Sequence, residues 1–139
     1  MKILEMCDSK AAAVPLDATA ELAIRTMLER RVGAVAVVDE KQRVAGIFTE
    51  RDVLGKVSLG EQSARKVSVR EVMTTPVEMA TEATTAAEAL ATMVERHYRH
   101  LPVVDNDGRL LGMLSIRNVL QAKIDTLTAQ LDQARAIVL

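Results

Sequence analysis

The chain has 139 residues, enough for one ordinary domain or two small repeats packed as one. Its 18 Lys and Arg balance 19 Asp and Glu to a net charge of −1, which leaves no basic stripe for nucleic acid or an anionic membrane. With one Phe, one Tyr and no Trp, the core must be aliphatic and methionine-rich, and stacking of a ligand base on a ring is not expected.

No apolar run approaches the roughly 20 residues that span a bilayer. The first residues, Met1 to Glu5, lack the long apolar stretch of a signal peptide. A lone Cys7 can form no internal disulfide, which fits a reducing compartment. The expected address is the cytoplasm.

Taken in chain order, residues 11–14 read as a short strand. Thr19 then stands as an N-cap before Ala23, Ile24, Met27 and Leu28, which recur at helical spacing. A β-rich run at 35–39, a polar break at 40–42 and a second apolar run at 44–48, with Gly46 inside it, predict two paired strands. A helix is expected over 50–57. Residues 58–68 are polar and read as a linker, and 69–74 as a short lead helix. The order then repeats: a strand at 77–80, Thr84 or Thr85 capping the helix of Ala89, Leu90, Met93 and Val94, and a strand at 101–105. An Asp107-Gly108 turn, a strand at 110–114 around Gly112 and a helix from Ile116 onward complete it.

Sliding the sequence by 66 residues superposes 3–54 on 69–120 without a gap. Matches include Met27/Met93, Arg30/Arg96, Val37/Val103, Asp39/Asp105, Gly46/Gly112 and Arg51/Arg117. Chance aligns apolar stretches easily, but it does not readily keep Asp, Gly and Arg in register as well. The chain is therefore a tandem repeat of strand–helix–strand–strand–helix units, an α+β fold. The expected boundaries are 1–57 for repeat one, 58–68 for the linker, 69–122 for repeat two and 123–139 for a helical extension. One repeat alone would leave an apolar sheet face uncovered, so the two should pack on each other. In the extension, Leu120, Ile124, Leu127, Leu131, Ala134 and Val138 alternate at spacings of four and three, a heptad-like seam. It could meet a sibling helix, a partner protein or its own domain.

These motifs resemble the CBS (cystathionine-β-synthase-type) domain. The resemblance rests on Gly33-Ala34-Val35-Ala36-Val37-Val38-Asp39 with Gly46-Ile47-Phe48-Thr49-Glu50-Arg51-Asp52. It rests equally on Val72-Met73-Thr74, Arg99-His100-Leu101-Pro102-Val103-Val104-Asp105 and Gly112-Met113-Leu114-Ser115. It implies two β-α-β-β-α units about a pseudo-twofold, often called a Bateman module. Such modules commonly dimerise, and their clefts often hold AMP, ADP, ATP or a related adenosyl ligand.

A nucleotide presents a flat base, a ribose diol and an anionic phosphate. A hydroxyl and a carboxylate three residues apart, where a strand enters a helix, suit the diol. Thr49 and Asp52 supply that pair in repeat one. Ser115 and Asn118 stand in repeat two, where Asn118 departs from the family pattern and lacks a charged acceptor. Ribose binding is thus expected more firmly of the first cleft than of the second. Residues of these types at a helix start are also ordinary N-caps, and both readings stay open. By the resemblance, Arg99 and His100 contact phosphate, with Arg51 and Arg117 assisting. Repeat one has Gly33 and Ala34 in place of that pair. Adenine would meet backbone and small apolar groups around Val14, Met79, Ala80, Leu101 and Pro102.

His97 and His100 lack a third metal ligand, and no nucleophile–base constellation, P-loop or dinucleotide fingerprint is present. The expectation is a homodimeric, non-catalytic regulatory module that needs no cofactor, binds an adenine nucleotide and acts on an unidentified protein partner. The rivals are a dimerisation module without a physiological ligand and a regulatory subunit of a separate enzyme or transporter.

Overall fold

The computed structural model describes residues 1–8 and 11–138. Leu139, the last residue of the expected extension, and the side chain of Val138 in its seam lie outside the described residues. Each repeat forms a three-stranded sheet. In the first, β1 (Ala13–Pro15) runs parallel to β2 (Ala34–Val38), which pairs antiparallel with β3 (Val44–Thr49). In the second, β4 (Ala80–Thr81), β5 (His100–Val104) and β6 (Leu110–Ser115) repeat that order. Even the irregularities recur, with a register shift between Val37 and Val38 and another between Val103 and Val104. Both first strands begin later than the expected 11–14 and 77–80. Ala11 and Val77 instead pack into the seam between the repeats.

Helix α2 (Ala20–Arg30) starts on Thr19, whose hydroxyl accepts from the Leu22 N–H at 3.1 Å. Its counterpart α5 (Ala86–Arg96) starts on Thr85 in a capping box with Glu88. Both end on a non-glycine residue in the left-handed region, Arg31 at φ 54° and His97 at φ 59°. The helix that closes repeat one is short: α3 (Glu50–Asp52) runs into a π-helical turn, Val53–Val57, where Ser58 N–H reaches back five residues to the Val53 carbonyl. By contrast α6 (Ile116–Val138) continues for 23 residues. Its first turn packs on repeat two through Ile116 and Val119, but Leu120, Ile124, Leu127 and Leu131 are each about half exposed, so the helix beyond that turn does not fold back on its own repeat.

All five residues of β2 are buried because both faces of the sheet are covered. Val35 and Val37 point towards α2 and join Ala23, Met27 and Phe48. Ala34, Ala36 and Val38 point the other way and meet Met113, Leu110 and Val77 of repeat two. The small alanines let the two sheets approach closely, and this seam buries the apolar face that one repeat would leave bare. Near the pseudo-axis, Val44 N–H donates to the Gly108 carbonyl and Leu110 N–H to the Gln42 carbonyl, a symmetric pair of bonds.

The short lead helices cross between repeats. α1 (Ile3–Met6) precedes repeat one, yet Ile3 packs with Leu101, Val103 and Leu114 of repeat two. α4 (Val69–Val72) precedes repeat two, yet Val69 and Val72 pack in the core of repeat one. The mid-strand glycines make room for these crossings. A Cβ on Gly46 would lie 2.6 Å from Met73 Sδ and 3.0 Å from the Thr74 carbonyl oxygen, and one on Gly112 would lie 3.1 Å from Cys7 Sγ. The linker is tied down too, since Ala20 N–H donates to the Val67 carbonyl and Glu21 N–H to that of Ala64.

Candidate functional site

The crossing of the lead helices brings the ends of both repeats to one cleft of about 1150 Å³. Thr49 and Asp52 line it from repeat one, Ser115 and Asn118 from repeat two, and Arg51, Arg99, His100 and Arg117 stand around them. Eight of the sequence-predicted residues are therefore together. The other five lie elsewhere. Val14, Ala80 and Leu101 are core residues facing their own repeat's helices, Pro102 is fully buried, and Met79 is exposed outside the cleft. Strand alternation explains this for Val14, Ala80 and Leu101, because the apolar floor draws on residues that pack in the seam instead: Ala34, Ile47, Val77 and Met113.

In repeat one, Thr49 N–H and Oγ1 donate to Asp52 Oδ2 at 3.0 and 3.2 Å, while Asp52 N–H donates to Thr49 Oγ1 at 3.3 Å. The expected pair is thus a capping box. Its carboxylate also accepts from Thr74 Oγ1 at 2.9 Å and forms an ion pair with Lys56 Nζ at 3.1 Å. Asp52 is only 4% exposed, and these donors occupy the roughly four lone-pair positions a carboxylate offers.

Repeat two keeps the geometry with different chemistry. Ser115 N–H and Oγ donate to Asn118 Oδ1 at 3.0 and 2.7 Å, and Asn118 N–H returns a bond to Ser115 Oγ at 3.0 Å. The amide Nδ2 then donates to Asp8 Oδ1 at 3.3 Å. Asp8 follows α1, so it reaches repeat two only because that helix crosses.

Arg30, Arg31, Arg51, Arg99 and Arg117 line the cleft against Asp8, Glu50 and Asp52, so the described lining is net positive. The left-handed ends of α2 and α5 turn Arg31 and His97 towards it. His100 sits opposite Gly33: a Cβ there would come within 3.3 Å of His100 Cε1 and 3.1 Å of Glu50 Oε1. A bare glycine is what lets the imidazole lie across the cleft. Burial holds the His100 pKa below the ordinary imidazole value, with Arg99 pushing the same way and Glu50 and Asp8 opposing. Cys7, beside the cleft, has its thiol pushed up to about 11 by burial and Asp8, so it is held as the neutral thiol.

Sequence reasoning missed Asp8, Thr74, Glu50, Arg30 and Arg31. Of these, Thr74 and Asp8 are equivalent under the 66-residue repeat, a signal that acquires meaning only once the crossing is known. Among the described residues no cluster of His, Cys, Asp and Glu could hold a metal ion, and no helix is long and apolar enough to cross a membrane.

Two repeats that exchange lead helices around a shared seam, with a hydroxyl-led capping box at each strand-to-helix turn, define a CBS pair. The CBS domain family model matches residues 3–59 and 69–125, and the chain belongs to this family. It is similar to an uncharacterised 17.7 kDa protein of Acidianus ambivalens, 33% identical over 93% of this chain and 77% of that protein. Among solved structures, it resembles a CBS-domain protein of Burkholderia ambifaria whose name proposes a role in signal transduction. There the identity is 33% and the TM-score 0.80, over 90% of this chain and 95% of the other. The fold also matches that of CBSX2 of Arabidopsis thaliana, solved in complex with AMP, at 22% identity and a TM-score of 0.77 over 90% and 97% of the two chains.

Proposed function

We propose that this chain is a non-catalytic regulatory module that takes an adenine nucleotide into the cleft between its repeats. It then reports occupancy to a protein partner, working as a homodimer in the cytoplasm. The observation that carries this reading is the convergence of two polar strand-to-helix turns and five arginines on one cleft with an apolar floor. Ile47, Val77 and Met113 suit a flat base, the polar turns suit a diol, and the arginines suit phosphate. The AMP held by CBSX2 supports the ligand class. Because both repeats line the cleft, a ligand would tie them together and shift the population of their relative arrangements, which a partner could read.

Calorimetric titration with AMP, ADP, ATP, NAD and adenosine tests the reading. AMP or ADP is expected to bind more tightly than adenosine by about tenfold, the worth of one charge-assisted contact to phosphate. Arg99→Ala is expected to erase most of that gap. No heat with any of these ligands at millimolar concentration would leave a dimerisation module as the better account.

A further inference from the structure

The two polar turns of the cleft differ in one respect that decides where a ribose can bind. Around Asp52, Thr49, Thr74 and Lys56 already use the carboxylate, and the side chain is almost fully buried. A diol would have to displace one of them. Around Asn118 the side-chain carbonyl is likewise used, by Ser115. There the free acceptor is Asp8, which is exposed and lines the cleft. Among the described residues its hydrogen-bond partner is the Asn118 amide, at 3.3 Å.

Under the 66-residue repeat, Asp8 corresponds to Thr74, Asn118 to Asp52 and Ala122 to Lys56. The carboxylate has thus changed places. Half one keeps the acid on the helix and the hydroxyl on the lead segment, while half two keeps the acid on the lead segment and the amide on the helix. With Ala122 at the position of Lys56, the cation that neutralises the acid in half one has no counterpart on the helix of half two. Each capping turn keeps one carboxylate in its hydrogen-bonded set, Asp52 in half one and Asp8 in half two, and of these two only Asp8 is exposed.

We infer that Asp8 is the ribose-diol acceptor of this cleft and Asn118 its positioning residue, so that the nucleoside sits in the half built on Ser115 and Asn118. This rests on the adenine-nucleotide reading above and reverses the preference expected from Thr49 and Asp52. Asn118 Nδ2 holds one carboxylate oxygen of Asp8. The remaining lone pairs can accept from the 2′ and 3′ hydroxyls.

The test is titration of the full chain with AMP and 2′-deoxy-AMP, in the wild type and in Asp8→Ala, Asn118→Ala and Asp52→Asn. Wild type is expected to prefer AMP over the deoxy form by about tenfold, as a hydrogen bond to a charged acceptor requires. Asp8→Ala should abolish that preference, Asn118→Ala should reduce it, and Asp52→Asn should leave it intact. Asp8 is exposed, so its variant should fold as the wild type does, which circular dichroism checks. If wild type binds AMP and Asp8→Ala keeps the full preference, Asp8 is not the acceptor and the nucleotide reading survives. If the preference disappears in Asp52→Asn instead, the diol sits in half one and this assignment is overturned. If wild type binds no nucleotide, both readings fall together.

Discussion

Half one and half two of the cleft share a capping geometry and differ in where their charge sits. Asp52 is buried, fully bonded and neutralised by Lys56, whereas Asp8 is exposed and meets only an amide among the described residues. A carboxylate whose lone pairs are all filled by the protein stabilises the turn it caps. One that is solvated and oriented by a single donor is ready for a ligand. The same motif can therefore be structural in one copy and available in the other. Motif identity alone ranks the two halves in the opposite order, because it scores the residue type on the helix and ignores the segment that covers it.

The largest expected difference between the copies lies at the glycines that receive the crossing lead segments. At Gly46 a side chain would strike both Met73 and the backbone oxygen of Thr74, while at Gly112 it would meet Cys7 Sγ, the end of a side chain, at 3.1 Å. Gly46→Val is expected to cost about 3 kcal/mol and Gly112→Val about 1 kcal/mol, the upper and lower parts of the overpacking range. Urea unfolding midpoints measure both. Equal losses would show that the two crossings are equally tight and remove this asymmetry.

A second contrast is between the closing helices. Repeat one stops in a π-helical turn around Gly55, whereas α6 continues and leaves Ile124, Leu127 and Leu131 about half exposed. Helices of repeat one offer further apolar surface at Leu28 and Leu54, 73% and 69% exposed. The proposed homodimer can use either surface. Burying three large residues per chain is worth about 1.5–3 kcal/mol each before ordering costs, which consume much of it. Truncation after Leu120 should therefore weaken dimerisation by roughly tenfold without abolishing it. Light scattering over a dilution series separates the cases, since a full-length monomer at tens of micromolar sinks the dimer and unchanged dissociation gives the tail another use.

The fold was legible in the sequence because each signal was local or periodic. Thr19 and the Thr84–Thr85 pair announced helix starts, the short β-rich apolar runs of β2 and β5 announced strands, and the 66-residue register required a symmetric pair. The lead-helix exchange was not legible. α1 and α4 are four residues each, and nothing in so short a run says which repeat it packs on. The site followed suit. Thr49, Ser115 and their partners belong to local turns and could be read, but Asp8 and Thr74 reach their partners across 110 and 22 residues of chain. Arg31 was hidden differently, as a charge at a helix end that only the left-handed cap turns inward.

The smallest expected effect is the pH response of His100, and it falls on the contact between the halves. Repeat one has Ala34 at the equivalent position, so any such response belongs to repeat two. The charged groups that act on the imidazole are Glu50 of α3, Arg99 just before its own strand and Asp8 of the lead segment, and burial outweighs them in lowering its pKa from 6.5. An unfolded chain therefore takes up this proton at higher pH than the folded one. The contribution to stability is complete above about 6.5 and declines as pH falls towards the lowered folded value. A phosphate in the cleft acts oppositely, favouring the imidazolium, so nucleotide binding should draw in a proton below neutrality. AMP affinity is expected to rise a few-fold from pH 7.5 to 6 while the empty protein becomes slightly less stable. Titrations in buffers of different ionisation heat would count the proton taken up. His100→Gln should flatten both trends, and if AMP affinity in that variant keeps the wild-type slope, the phosphate does not lie against His100.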